Sequence, residues 1–531
     1  MRKFSSYGPV DTDLHYYAPR QALIDQAAAD LVGENPAKGG HYITVWAPRQ
    51  RGKTWIIQQA LRRLQSDPRY AAFDVMYLAL EYLKLERDAA GIAQSLARQF
   101  SQALGLPSRD IREIKELEQL FHRDVLQKPL ILILDEFDAL TEEAIAGIAG
   151  VFRNVYIQRQ TEWSQLTGEK TYLLHGVALI GVRAVLGVEN VTGSPFNVQR
   201  SLRIPNLTYD EVAGMFRWYE QESQQAVEPA VVERLFYETR GQPGLTGWFG
   251  ELLTETYNKH APTITLRDWE IAYAAGLNVL PNNNILNIIS KARQEPYRGF
   301  VLELFETREK VEFRYDDERI NFLYMNGVID QETTDETRYY VRFASPFVQK
   351  RLFNYFAGAV SRELGRLYAP FEDLTDTVTE EKLNVVNLLR RYEQYFRQNR
   401  DLLLKDAPRR TDLRLYEAVY HFNLYAYLER FLRPYGGRVA PEFPTGNGQV
   451  DLLITHAERQ YALEVKSYAT QPDYRRALQQ AAHYGRQLGL SEITLVFFVE
   501  AIDATNRAKY EVVYKDVNNG VTVTPVFVET L

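Results

Sequence analysis

Residues 42–64 read YITVWAPRQRGKTWIIQQALRRL. Tyr42 to Trp46 have strand composition, a polar turn follows, and a helix-periodic segment opens near Lys53. The turn APRQRGKT, residues 47–54, decides how the chain is read. A phosphate-cradling loop needs inward backbone N–H groups, a lysine for the β- and γ-phosphates, and a hydroxyl for Mg2+. Gly52, Lys53 and Thr54 supply the diagnostic end, and the dipole of the following helix adds to it. Ala47 stands where the first glycine is usual, so the motif is imperfect, and a lone Gly-Lys-Thr also occurs by chance on surface turns.

A second stretch tips the balance. LILILDEFD, residues 130–138, runs five apolar residues into Asp135 and Glu136. At the carboxyl end of a strand in an open α/β sheet, that is the place for a Mg2+-holding aspartate and a water-polarising glutamate. The bland alternative is a buried strand ending in solvated acids. Loop and acid pair in this order favour ATP and Mg2+ as cofactors, with hydrolysis depending on the aim of Glu136. VALIGVR, residues 177–183, ends in Arg183, either a γ-phosphate sensor or an ordinary surface cation. TRGQPGL, residues 239–245, sets Pro243 between glycines at a helix boundary, which capping alone explains.

Around these motifs the chain alternates. YITVWA, FDVMYLAL, LILILDEF and VALIGV are near-continuous apolar runs separated by helical patterns, the signature of a parallel sheet covered on both faces. The fold class expected is therefore α/β and multidomain: a P-loop ATPase sheet over 1–206, a helical lid over 207–283, a winged helix over 284–358 ("GFVLELFE", "DERINFLYMNG", then "GVIDQE" and "RYYVRFA"), a helical linker over 359–410, and a last α/β unit over 411–531. At 531 residues, several domains are expected. A net charge of -7 gives no general attraction to nucleic acid, so any such contact must come from local basic patches. The absence of cysteine excludes disulfides, thiol catalysis and thiolate metal sites. Without a signal-peptide core or a 20-residue apolar run, the expectation is a cytoplasmic protein without membrane contact.

GPVDTDLHYYAPR (8–20), YITVWAPRQRGKT, LILILDEFD, SPFNV (194–198) and GQPG (241–244) together resemble the AAA-like ATPases of prokaryotes related to the STAND and archaeal ATPase groups. The resemblance spans roughly residues 1–360. It implies that His15 and Tyr16 lie near the nucleotide, that Arg49 and Gln50 belong to the loop, that Arg183 acts as a sensor, and that Pro243 touches the adenine side. It also implies that the winged helix relays the ATPase state.

A second constellation lies far downstream. In GNGQVDLLITHAERQYALEVK, residues 446–466, Asp451 opens one strand, while Glu464 and Lys466 sit at i and i+2 of the next and share a face. Metal-dependent phosphodiester hydrolysis needs acidic oxygens on adjacent strands and a cation near the attacking water. The Val465 carbonyl is a further candidate ligand. The plain alternative is an amphipathic hairpin with a salt bridge. A preceding helix offers Glu417, and a following one offers Gln480 and Tyr484. The order helix–strand–strand–helix–strand over roughly 411–500 resembles the PD-(D/E)XK, or restriction-endonuclease-like, nuclease superfamily. That resemblance implies Asp451 and Glu464 as Mg2+ or Mn2+ ligands, Lys466 as the water-positioning cation, and Glu417 and Gln480 as helpers. Gln449 stands where many relatives carry arginine.

Arginines and tyrosines at helical spacing in RRYEQYFRQNR and PDYRRALQQAAHYGRQ are candidate nucleic-acid-tracking faces, or simply solvated helix faces. The function expected is an ATP-binding and ATP-hydrolysing module that regulates a nuclease acting on DNA, in a possible homo-oligomer. Phage defence or mobile-element control follows by family analogy alone. The competing expectation is an ATP-dependent switch or scaffold whose nuclease fold binds nucleic acid without cutting. A transcriptional regulator ranks last, because DERINFLYMNG is more acidic and apolar than a recognition helix.

Overall fold

The computed structural model describes residues 1–6, 8, 10–181, 200–306, 310–335, 337–361, 364–405, 407–409, 415–442, 451–467 and 471–531, excluding the side chains at 306, 334–335, 360–361, 417, 451 and 467. Two compact units emerge, residues 1–280 with 315–327 and residues 281–314 with 328–531.

In the first unit, α1 (Gln21–Val32) leads into β1 (Tyr42–Trp46), α2 (Lys53–Ser66), β2 (Asp74–Ala79) and α3 (Ala89–Leu104). Then come β3 (Leu130–Asp135), α4 (Glu142–Thr161), β4 (Leu174–Ile180) and β5 (Arg200–Arg203). The strands form one parallel sheet in the order β2-β3-β4-β1-β5. Four of them coincide with the apolar runs of the sequence. The edge strand β5 reads RSLR with only Leu202 fully buried, so its composition hides it.

Every residue of β3 is buried, and its parity explains the pattern. Leu130, Leu132 and Leu134 enter a core with α3 and α4, whereas Ile131 and Ile133 enter a second core with α1 and α2. The strand alternation carries Asp135 to the α2 side. The crossover from β1 passes β4 and β3 to reach β2, whereas that from β4 passes β1 to reach β5. The two crossovers thus leave in opposite directions, the topology at which open α/β sheets bind ligands beyond the carboxyl ends of their strands.

Helices α5 (Tyr209–Ser223), α6 (Pro229–Thr239), α7 (Pro243–Glu251) and α8 (Leu266–Asn278) follow the sheet, with short parallel strands β6 (Ala226–Val227) and β7 (Thr263–Ile264). A capping box between Thr208 and Glu211 starts α5 and contributes about 1 kcal/mol. The amino-terminal residues lie against these helices: the Phe4 ring is 4.8 Å from Phe216, and Arg2 bonds Glu222. Gly247 and Gly250 of α7 make room for Ser5 and Phe4.

The second unit opens with α9 (Asn283–Ala292) and α10 (Tyr297–Glu306). The next helix, α11 (Glu318–Met325), belongs to the first unit, while the antiparallel hairpin β8 (Ile329–Asp335) and β9 (Arg338–Phe343) belongs to the second. The second unit continues with α12 (Pro346–Ser361), α13 (Val385–Leu403) and α14 (Glu417–Leu432). The last strands are β10 (Arg438–Glu442), β11 (Asp451–His456), β12 (Arg459–Ser467), β13 (Glu492–Val499), β14 (Tyr514–Asp516) and β15 (Val521–Glu529), with α15 (Gln471–Gln487) and α16 (Ala504–Tyr510) between them.

These strands make a mixed sheet, β10-β11-β12-β13-β15-β14, in which β12, β13 and β15 are mutually parallel. Alternation on β13 separates two layers. Phe497 packs with Tyr474 of α15, and Phe498 with Tyr392 of α13 and Tyr420 of α14. The helix read from sequence as a linker is thus one layer of this unit, because Tyr392 and Phe396 need burial.

Candidate functional site

Gly52 adopts φ 87°, a left-handed conformation that a β-carbon disfavours, and releases the chain into α2 at Lys53. No side chain caps this helix and no acid occupies its first turn, which leaves its N–H groups and dipole to an anion. Thr54 is the second residue of the helix. Ala47 is buried, and its carbonyl, with that of Pro48, accepts hydrogen bonds from Lys53 Nζ at 2.9 and 3.3 Å. Burial pushes the Lys53 ammonium down to about 8, against the pull of Asp138 and Asp135 and with repulsion from Arg49 and Arg51.

Asp135 is buried at the end of β3 and held from two sides. Tyr77 donates to Oδ2 at 2.7 Å, and the Glu136 amide donates to Oδ1 at 2.8 Å. Glu136 turns out of the strand at φ 55°. Partial burial and the nearby carboxylates of Glu81, Asp135 and Asp138 raise its pKa, which makes it a better proton acceptor. Lys53 and Asp135 therefore meet at one edge of the sheet, with Glu136 beside them.

Helix α7 reaches the same loop. Gly244, next to Pro243, donates its N–H to the Gln50 carbonyl at 3.4 Å. A β-carbon on Gly244 would stand 2.2 Å from Gln50 Oε1. His15 accepts the Asp11 N–H at 2.9 Å. Tyr16 is buried against Phe4, Trp218 and Tyr219 and bonds Glu222. It is Tyr17 whose ring lies 5.4 Å from Trp55 of α2, directly after Thr54. Arg183 and the segment SPFNV lie outside the described residues.

Several participants escaped the sequence reading. Tyr77 is separated from Asp135 by 58 positions. Asp138 exerts the largest attraction on Lys53, and Gly181 leaves space for it, since a β-carbon there would fall 2.3 Å from Asp138 Oδ1. Arg51 is buried with its guanidinium 5.9 Å from the Tyr324 ring, and Arg203 bonds the Tyr324 hydroxyl at 3.0 Å. The D-E-F-D run is a readable sign for Asp138; no local pattern marks the others.

In the second unit, Asp451 directly opposes Glu464 in the β11–β12 register, and Lys466 follows two residues on. Glu464 and Lys466 are each 2% exposed and form an ion pair. Lys466 Nζ also donates to Gln480 Oε1 of α15 at 2.7 Å. The structure thus brings Glu464, Lys466 and Gln480 together, with the Asp451 backbone opposite. Tyr484 is buried in the α15 layer. Glu417 begins α14, which packs on the other face of the sheet from α15. The side chains of Asp451 and Glu417, and all of Gln449, lie outside the described residues.

Among the described residues, no group of three or more His, Asp or Glu is placed to hold a metal ion. In the β11–β12 register, Asp451 and Glu464 place one acidic residue each on neighbouring strands. Among them too, no helix is long and apolar enough to cross a membrane.

No family model matches the chain, and no curated protein is significantly similar. Among solved structures, the Walker-type ATPase of Pyrococcus abyssi is similar at 13% identity over 66% of this chain and 99% of its own, with a TM-score of 0.38. The Aeropyrum pernix ORC1 protein in complex with DNA is similar at 17% identity over 65% and 94%, with a TM-score of 0.32. The RuvB protein of Thermotoga maritima is similar at 13% identity over 59% and 90%, with a TM-score of 0.35.

Proposed function

We propose that this chain binds and hydrolyses ATP at the loop 47–54, and that the nucleotide state governs a metal-dependent nuclease in its C-terminal sheet, with DNA as substrate. Lys53 would exchange the Ala47 and Pro48 carbonyls for phosphate oxygens, Thr54 and Asp135 would hold Mg2+, and Glu136 would orient water. Contact between Gly244 and Gln50 gives the lid a direct path to the loop.

The observation that carries the nuclease reading is the placement of Lys466 between Glu464 and Gln480. A buried ammonium needs acceptors beyond its ion pair, and here one comes from α15 and fixes the direction of the Lys466 side chain. Lys466 would orient the attacking water and stabilise charge on the phosphate, with Gln480 fixing its direction. A divalent ion held by Asp451, Glu464 and the Val465 carbonyl would neutralise the phosphate and acidify bound water.

The test is plasmid or single-stranded DNA cleavage with Mg2+ or Mn2+, with and without ATP. Cleavage by the wild type, lost in Asp451→Ala and Lys466→Ala, supports the proposal. A second reading draws on the Glu464–Lys466 ion pair, which already offsets the carboxylate that a metal would need. There the domain binds nucleic acid without cutting, and ATP-dependent DNA binding by a wild type that cleaves nothing would establish it.

A further inference from the structure

At the amino edge of the parallel sheet, opposite to Lys53, lies a cavity of 190 Å3. Its lining includes Lys38 and His41 just ahead of β1, Tyr156, Arg159 and Trp163 at the end of α4, and Lys170 ahead of β4. Arg159 and Lys170 are 3% and 4% exposed. Buried cations are normally paired with carboxylates. Among the described residues, neither these two nor Lys38 forms an ion pair. Glu162, whose charge acts on Arg159 and Lys170, is bonded by the Thr171 backbone and hydroxyl, and Glu34 lies 2.8 Å from His41.

The cations are held in place by neutral groups. Arg159 donates to the Tyr172 carbonyl and, at 2.8 Å, to Thr167 Oγ1. Thr167 in turn meets His175 Nδ1 at 2.8 Å, and His175 Nε2 meets the Val32 carbonyl at 2.9 Å. Lys170 donates to the Arg159 carbonyl at 2.8 Å, and Lys38 to the Ser164 carbonyl at 2.9 Å. An ammonium has three protons and a guanidinium five, so both kinds of group retain donors after these bonds. Burial, together with Arg159 and Lys38, keeps Lys170 below the ordinary lysine range, a cost that an anion would relieve. At the rim, Trp163 is 74% exposed, which leaves its indole open to a ligand.

We propose that this cavity binds a nucleoside monophosphate, the phosphate among Lys38, Arg159 and Lys170 and the base on Trp163. Charge-assisted bonds from rigid donors suit a phosphomonoester, and an exposed indole offers a stacking face to any base. The volume accommodates a phosphate and sugar and leaves the base at the mouth. Capping of α4 by Lys170 explains one of its bonds, but not the burial of a second, unpaired guanidinium or the exposed indole.

The experiment uses the full chain carrying Lys53→Ala, so that the loop contributes little, with AMP and inorganic phosphate as separate probes in calorimetry and tryptophan fluorescence. The expected result is AMP binding with a fluorescence change that Trp163→Phe abolishes. Lys170→Met and Lys38→Ala, with unchanged circular dichroism, each weaken it about tenfold or more. No binding at millimolar AMP, or binding indifferent to both lysine substitutions, overturns the proposal. Phosphate binding as tightly as AMP overturns the assignment of the base to Trp163. Should Lys170→Met unfold the chain, Lys38→Ala and Trp163→Phe decide the matter.

Discussion

Lys466 of β12 and Gln480 of α15 are joined by a 2.7 Å hydrogen bond across 14 positions of sequence. The bond fixes the direction of an ammonium that is also ion-paired to Glu464. Under the proposed nuclease function, Gln480→Ala is therefore expected to lower DNA cleavage by about 10- to 100-fold, as loss of an orienting partner does, while Gln480→Glu alters the dependence on divalent ion. Initial rates of plasmid nicking against Mn2+ concentration measure both.

Gly244→Ala drives a methyl group into Gln50 Oε1 at 2.2 Å and Cδ at 3.0 Å. The expected outcome is weaker ATP binding, about tenfold, with the melting temperature little changed. Because the two residues touch, Gln50→Ala should restore part of the affinity in the double variant, a coupling that a thermodynamic cycle measures. Additive losses would contradict the contact.

Lys53 titrates near 8 when its surroundings are as described. Its folded pKa is depressed below the ordinary lysine value, so the ammonium is present below about pH 8 and is lost as pH rises through it. ATP affinity should accordingly fall between pH 7.5 and 9, roughly tenfold per unit above the pKa. The sign for stability is opposite: the burial penalty is full below about pH 8 and fades from there towards the unfolded value. Lys53→Arg should flatten the binding profile, and equilibrium binding across the pH range checks it.

Gly250→Ala places a β-carbon 2.4 Å from the Phe4 ring. Overpacking of this kind costs about 1–3 kcal/mol. Phe4→Ala should be destabilising alone yet relieve the clash in combination. Thermal melts of the three variants report it.

On the outer edge of β15, Glu393 accepts the Glu529 N–H at 2.9 Å, Glu511 accepts the Phe527 N–H at 2.7 Å, and Arg507 bonds the Phe527 carbonyl and Glu393. These side chains occupy backbone groups that a strand edge otherwise offers to another chain. Glu393→Ala is expected to cost about 1.5–3 kcal/mol and to promote aggregation, measured by denaturant melts and light scattering.

The sequence alone determined whatever depends on neighbours along the chain. Continuous apolar runs required a doubly covered sheet, and Gly-Lys-Thr after a strand located the loop. D…E-x-K marked a strand pair whose register now sets Asp451 against Glu464. Tertiary structure alone decided what depends on distant contacts. It coupled Tyr77 to Asp135, seated Tyr16 against α5 while giving Trp55 to Tyr17, and grouped α11 with the first unit. It also gathered Lys38, Arg159 and Lys170 around one cavity. The physical reason is that strand and helix periods are local properties of the backbone, whereas the partner of a buried charge is chosen by whichever segment the completed core brings beside it.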